Sequence, residues 1–249
     1  MAQTIHVVGS YVSPYVRKVL VFLETKRLPY EIDPIVPFFG TDRFSELSPL
    51  RRVPVLVDDR VTLCDSSVIC QYLEDRFPEP ALYPRDVAAR ARARWLEEFA
   101  DTRMGDVFIW RLFNQRVIRP HVFREATDEA IVARVLAEDV PAVLDYLEGE
   151  LPREGYACGE LSIADVAIAC FFRNAAFARF QPDAARWPRT AAFVARTLAL
   201  PAFVKLAAIE DVMIRTPLPK QRDALSDAGF ALTAESYGTS TPRRGIMPI

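Results

Sequence analysis

Short apolar runs and helically spaced apolar residues alternate along the first eighty positions. Thr4-Ile5-His6-Val7-Val8 reads as a strand, and a polar turn follows it. Val16, Val19, Leu20 and Leu23 then recur at helical spacing behind Pro14. Proline suits a first helical turn because its missing N–H has no intrahelical partner there. Ser13 therefore sits at the N-cap, beside unpaired backbone N–H groups and the positive end of a helix dipole. Leu28–Asp33 alternates with period two and predicts a second strand, parallel to the first with the helix as crossover. Pro34–Asp42 breaks regular structure, and Phe44–Leu47 suits one helical turn. Val55–Val57 and Val61–Leu63 flank Asp58-Asp59-Arg60 as a hairpin. Asp65–Phe77 predicts a helix with Val68, Ile69, Tyr72, Leu73 and Phe77 facing inward.

Three prolines within Pro78–Pro84 make a stiff connector. Beyond it the apolar period becomes helical throughout. Asp86 caps a long helix reaching about Phe113, and a second helix spans about Asp128 to Leu151, bent or interrupted at Pro141. Ser162-Ile163-Ala164-Asp165 has capping-box spacing at the head of a very apolar third helix. Two more helices begin at Trp187-Pro188 and at Pro201. From Thr216 the pattern dissolves among Pro217, Pro219, Gly229, Gly238, Pro242, Gly245 and Pro248. The tail is as consistent with wrapping over a site or the helical part as with mobility.

Composition narrows the functions. The 249 residues carry 31 basic and 33 acidic side chains, a formal net charge of −2, and no basic cluster interleaved with aromatics, so nucleic acid is not an expected partner. The apolar runs are too short for a membrane span, and the start leads straight into a strand, so a cytoplasmic protein is expected. Four cysteines, Cys64, Cys70, Cys158 and Cys170, lack disulfide-framework or metal-ligand spacing, and only His6 and His121 are histidines. No metal is expected. A Ser–His–Asp relay has little to work with.

Three short motifs carry a resemblance. Ser13-Pro14-Tyr15-Val16 occupies the place of the Cys-Pro-x-Cys motif in a thioredoxin-like first βα unit, with both cysteines absent. Arg52-Val53-Pro54-Val55-Leu56 and Cys64-Asp65-Ser66-Ser67-Val68-Ile69 follow in order. Together they resemble the amino-terminal domain of the cytosolic glutathione S-transferase superfamily, in its serine-type, bacterial-like group. For Ser13 by itself, plain helix capping is the ordinary reading; the three motifs in sequence move it to a site.

The resemblance implies an α/β thioredoxin-like domain over residues 1–80, an all-α domain over 81–215 and an irregular tail over 216–249. It implies glutathione as co-substrate, an electrophilic small molecule as second substrate, and a homodimer. Ser13 would stabilise the glutathione thiolate, with Tyr11 and then Ser10 as rivals in the same turn. Val53 and a cis Pro54 would present backbone to the tripeptide. Ser66 would take its γ-glutamyl carboxylate, Asp65 would orient the amino end, and Arg52 would meet the glycyl carboxylate. Phe108, Trp110 and Arg111 are candidates for the second-substrate pocket, and Asp101 for a reach into a neighbouring subunit. The capping box is a folding element in the family. The expected reaction is conjugation; isomerisation or dehalogenation on the same scaffold, or binding without catalysis, are the alternatives. Lacking both cysteines of the redox motif, the site is not expected to run dithiol chemistry.

Overall fold

The computed structural model describes residues 5–243; Thr4, at the head of the expected first strand, and Gly245 and Pro248 of the tail lie outside them. The chain divides into two compact units. One combines the chain up to Pro80 with the chain from Val204 onward, and the other is Ala81–Phe203.

The first unit is built on a four-stranded mixed sheet in the order β2-β1-β3-β4. Strand β1 (Ile5–Val8) pairs in parallel with β2 (Tyr30–Asp33) and antiparallel with β3 (Val55–Val57), which forms a hairpin with β4 (Thr62–Cys64). The parallel pair requires a crossover, which helix α1 (Pro14–Lys26) supplies. Its residues Val16, Val19, Leu20 and Leu23 are buried with Val7, Ile32 and Leu56 in the core. A 3₁₀ turn (Pro37–Phe39) and the short helix α2 (Asp42–Leu47) lead to β3, and α3 (Ser66–Arg76) follows β4. Val68 does not face inward on α3 as its spacing predicts. It is exposed, and Cys70 takes the buried position beside Ile69 and Leu73.

The tail joins this unit. Helix α9 (Pro201–Arg215) is followed by the short α10 (Gln221–Asp227) and an extended segment that runs beside β2. Ile32 donates to Ala231 O at 3.1 Å, and Thr233 donates to Ile32 O at 3.2 Å, forming a parallel bridge at Leu232. Farther on, Thr41 donates to Tyr237 O and Thr239 to Phe39 O, at 2.9 and 2.7 Å. The buried Asp33 carboxylate gathers Arg222 Nη1 (3.0 Å), Ser236 Oγ (2.8 Å) and the Tyr237 N–H (2.7 Å). Burial pushes Asp33 above the ordinary carboxylate range, against the pull of those partners. An exposed sheet edge presents unpaired N–H and C=O groups, and here Ala231–Thr233 cover part of it.

In the helical unit, α4 (Val87–Phe99) starts at Asp86, whose carboxylate accepts the Ala89 N–H at 2.8 Å. It continues in wider, π-type turns through Ala100–Phe123, ten residues beyond the end read from the sequence. Contacts at the far end sustain the extension. Leu112, Phe113 and Ile118 are buried, and Gln115 accepts from Thr127 Oγ1 and the Asp128 N–H. Helix α5 (Glu129–Arg134) passes through a π turn (Val135–Asp139) into α6 (Val140–Glu150), so Pro141 falls in the first turn of a new segment, where its ring is tolerated. The central helix α7 (Ile163–Phe177) is buried along almost its whole length, and α8 (Pro188–Leu198) packs beside it.

Candidate functional site

The turn between β1 and α1 is held by its own residues. The Ser13 N–H donates to Ser10 O at 3.0 Å, and the Val12 N–H donates to Ser10 Oγ at 3.3 Å. Ser10 is thereby turned inward and buried. Ser13 is the N-cap of α1, in extended conformation, and its Oγ accepts the Val16 N–H at a long 3.4 Å. That bond uses an acceptor lone pair. The hydroxyl proton, a separate capacity of the same atom, has no acceptor among the described residues.

Gly9 brings the second motif to this turn. Its φ is +146°, and a Cβ there would lie 2.5 Å from Val16 Cγ2 and 2.9 Å from Val53 Cβ. Only a residue without a side chain lets the start of α1 and the loop before β3 approach this closely. The Val53–Pro54 bond in that loop is cis. Among the described residues, neither the Val53 N–H nor its C=O has a hydrogen-bond partner.

The third motif begins α3. Asp65 is its N-cap at φ +82°, a region L residues rarely occupy, and strain of that kind persists where surroundings or function hold it. Asp65 Oδ1 accepts the Ser67 and Val68 N–H groups at 2.9 and 3.1 Å. Ser66, 3% exposed, has no partner for its N–H or its hydroxyl among the described residues. Lys18 on α1 reaches Ser67 Oγ at 3.0 Å and ties the two helix starts together. Ser13, Val53 and Ser66 thus keep unused hydrogen-bonding groups at the ends of β1, the loop before β3, and β4.

The two arginines before Val53 differ. Arg51 donates to Gly40 O at 2.8 Å and Thr41 O at 3.3 Å and is bonded to Ser45 Oγ, so it fastens a loop. Arg52 is exposed and its guanidinium has no partner among the described residues. Tyr11 is 2% exposed, its hydroxyl is hydrogen-bonded with that of Tyr30, and burial pushes its phenol well above the ordinary value. Tyr30 in turn donates to Glu24 at 3.0 Å.

In the helical unit, Phe108 is fully buried, with its ring 5.4 Å from Phe172 and 5.9 Å from Phe180. It packs in the core, where α7 lies directly on this part of the helix. Arg111 is bound to Asp106 and Asp139 at 2.8 and 3.0 Å, and Arg103 joins the same two carboxylates. Trp110 is half-buried. A groove between α6 and α8 contains Glu148, which accepts both the Arg189 and Thr190 N–H groups, and Asp145, which accepts the Trp187 indole N–H. Those bonds cap α8 and hold none of the motif residues.

No cysteine offers a ready thiolate. Burial pushes the Cys64 and Cys158 thiols up, and Cys70 and Cys170 are buried. Among the described residues no group of three or more His, Cys, Asp or Glu side chains is placed to hold a metal ion, and no single helix is long and apolar enough to cross a membrane.

The family models for the glutathione S-transferase N-terminal and C-terminal domains match residues 7–81 and 106–201. The uncharacterized GST-like protein YibF of Escherichia coli (strain K12) is 33% identical over 176 residues, which is 70% of this chain and 84% of that protein. The chain belongs to the glutathione S-transferase superfamily. A glutathione S-transferase from Rhodospirillum rubrum F11 superposes at a TM-score of 0.75 with 28% identity, over 81% of this chain and 91% of the other. FzlA from C. crescentus also reaches 0.75, at 23% identity, over 94% of this chain and 97% of its own. Glutathione S-transferase membership supports glutathione-dependent activity, with the three motifs on the first, thioredoxin-like unit.

Gly9 and Lys18 escaped the sequence reading of the site. A Gly after a β-run and before a Ser-Pro helix start was the available signal for Gly9; Lys18 gave none, because its partner Ser67 lies far along the chain.

Proposed function

We propose that this glutathione S-transferase activates the glutathione thiol through Ser13 and transfers the sulfur to an electrophilic carbon of a small molecule. A free thiol near pKa ~8.5 is only a few per cent ionised at neutral pH. Lowering it by ~2 units takes ~2.7 kcal/mol of preferential stabilisation of the anion. A charge-assisted hydrogen bond contributes about 1.5–3 kcal/mol. The α1 N-terminus adds about 0.3–1 kcal/mol. The two together suffice without a general base, and the thiol proton leaves to solvent. The thiolate then forms the new carbon–sulfur bond, either displacing a leaving group or adding to an activated double bond.

The observation that carries this reading is the Ser13 hydroxyl proton, which has no acceptor among the described residues at a helix start. The unpartnered Val53 backbone, beside Pro54, supports strand-like binding of the tripeptide. Ser66 is assigned the γ-glutamyl carboxylate, Asp65 the amino end and Arg52 the glycyl carboxylate. Tyr11, with its hydroxyl on Tyr30, supports the turn and leaves the sulfur to Ser13. Trp110 and Arg111 stay assigned to the electrophile pocket. We assign the protein a cytoplasmic location and a homodimeric state.

The test is the thiolate ultraviolet absorbance of bound glutathione across pH. Ser13→Ala should raise the apparent pKa by about one to two units, a loss of roughly 1.4–2.7 kcal/mol, with affinity little changed. A normal titration in Ser13→Ala with a shifted one in Tyr11→Phe would transfer the role to Tyr11. No thiolate signal in the wild type would support binding without catalysis. Product analysis with alkyl-halide and cis-olefin substrates separates conjugation from dehalogenation and isomerisation.

A further inference from the structure

Helix α9 grips α1 at two points. Lys205 Nζ binds both carboxylate oxygens of Glu24 at 2.7 and 2.8 Å, near the C-terminal end of α1. Near its N-terminal end, Arg17 Nε pairs with Glu210 Oε1, and each of these side chains is only 1% exposed. Arg17 has a second engagement. Its Nη2 donates to the carbonyl of Val12 at 3.4 Å, and Val12 is the residue before Ser13.

A buried ion pair is a weak source of stability, because removing two charges from water costs about what their attraction returns. Well-packed apolar residues of similar volume hold two helices together at least as well. What they cannot do is supply an N–H at a fixed place to a main-chain carbonyl. Glu210 fixes the guanidinium plane by taking Nε, and Nη2 donates to the Val12 carbonyl at the Ser13 turn.

We propose that Arg17 and Glu210 are positioning residues for Ser13. Through the Val12 carbonyl they hold the turn in the geometry that aims the Ser13 hydroxyl at the glutathione sulfur. The inference rests on the Ser13 reading above. It makes the last long helix a working part of the glutathione site, through a residue nearly two hundred positions from the turn it supports.

Either single apolar substitution leaves a buried charge unpaired and is expected to fold poorly. The decisive variant is therefore Arg17→Met with Glu210→Leu, in the full-length chain, together with Arg17→Lys, which keeps a cation for Glu210 but cannot also reach Val12. Both should fold, and both should bind glutathione within about twofold of wild type, since Val53, Ser66 and Arg52 are untouched. Amide hydrogen exchange at Ser13 and Val16 should quicken. The apparent pKa of bound glutathione should rise by about half to one unit, so turnover falls about three- to tenfold at neutral pH and recovers as pH rises. A purely structural pair would not move that pH profile.

Wild-type exchange and wild-type titration in the folded double variant would overturn the proposal. Ser13→Ala, run in parallel, separates the two readings. An unmoved titration in Ser13→Ala removes Ser13 from the chemistry, and exchange at the turn then decides positioning by itself: faster supports it, unchanged ends it.

Discussion

Ser13 and Ser162 both stand in extended conformation before a core helix, and their hydroxyls are assigned in opposite ways. Ser162 is buried and donates its hydroxyl proton to Asp165 Oδ2 at 2.9 Å, while the same oxygen accepts the Ser162 N–H at 2.8 Å. Asp165 Oδ1 takes the Ala157 N–H, also at 2.8 Å, so the start of α7 is closed upon itself. Ser13 accepts one long bond from Val16 and its proton has no acceptor among the described residues. There is no acidic residue in the first turn of α1 to receive it. The helix start with an acid three residues on is a lock, and the one without it is an open donor.

The comparison can be tested at both serines. The largest effect is expected from Asp165→Ala, which orphans three donors, two of them buried, and should cost about 3–4 kcal/mol in denaturant unfolding. Glutathione titration in the folded fraction should be unchanged. Ser13→Ala should reverse that pattern: the thiolate loses about 1.4–2.7 kcal/mol of stabilisation, while unfolding shifts by only about 0.5–1 kcal/mol. Ser162→Ala should cost about 1 kcal/mol of stability and leave the titration alone. If Ser13→Ala destabilised the fold as much as Asp165→Ala while sparing the thiolate, the two starts would be the same device.

A smaller effect concerns pH. Burial pushes Asp165 above the ordinary carboxylate range, outweighing the hydrogen bonds from Ala157 and Ser162 that pull it down. Between the ordinary and the raised value the folded chain holds the proton more tightly than the unfolded chain. Asp165 therefore makes stability fall as pH rises through that window. Asp165→Asn should flatten that part of the profile in unfolding curves taken across acidic pH. Tyr11→Phe should do least, leaving the thiolate titration in place, because its hydroxyl already belongs to Tyr30.

Much of this was legible in the chain because the determinants are local. Pro14 behind Ser13, the capping-box spacing at Ser162 and the alternation in β2 act over three or four residues, and each produced the expected element. The order of three motifs identified the family, and with it the cis peptide at Pro54. What stayed hidden depends on partners far away. Tyr11 looked available until Tyr30 and burial claimed it. Phe108 and Phe172 share no local pattern, so their packing could not be read from either segment. Val68 fits the buried stripe of α3 by spacing and is nevertheless exposed. The destination of the tail hung on Asp33, which reads as an ordinary strand end, and on bonds spanning roughly two hundred residues.

That tail has a bearing on how the protein is made. Ribosomes release chains from the amino terminus, and early domains ordinarily fold while later ones are still emerging. Here, among the described residues, β2 gains its outer neighbour from Ala231–Thr233, and the Asp33 carboxylate acquires its partners from Arg222, Ser236 and Tyr237. A sheet begun by Ile5–Asp33 is thus completed only by residues far later in the chain. Until residues 222–237 have emerged, the nascent sheet carries an open edge, and any second strand of suitable register is a competitor for the place that Ala231–Thr233 will take.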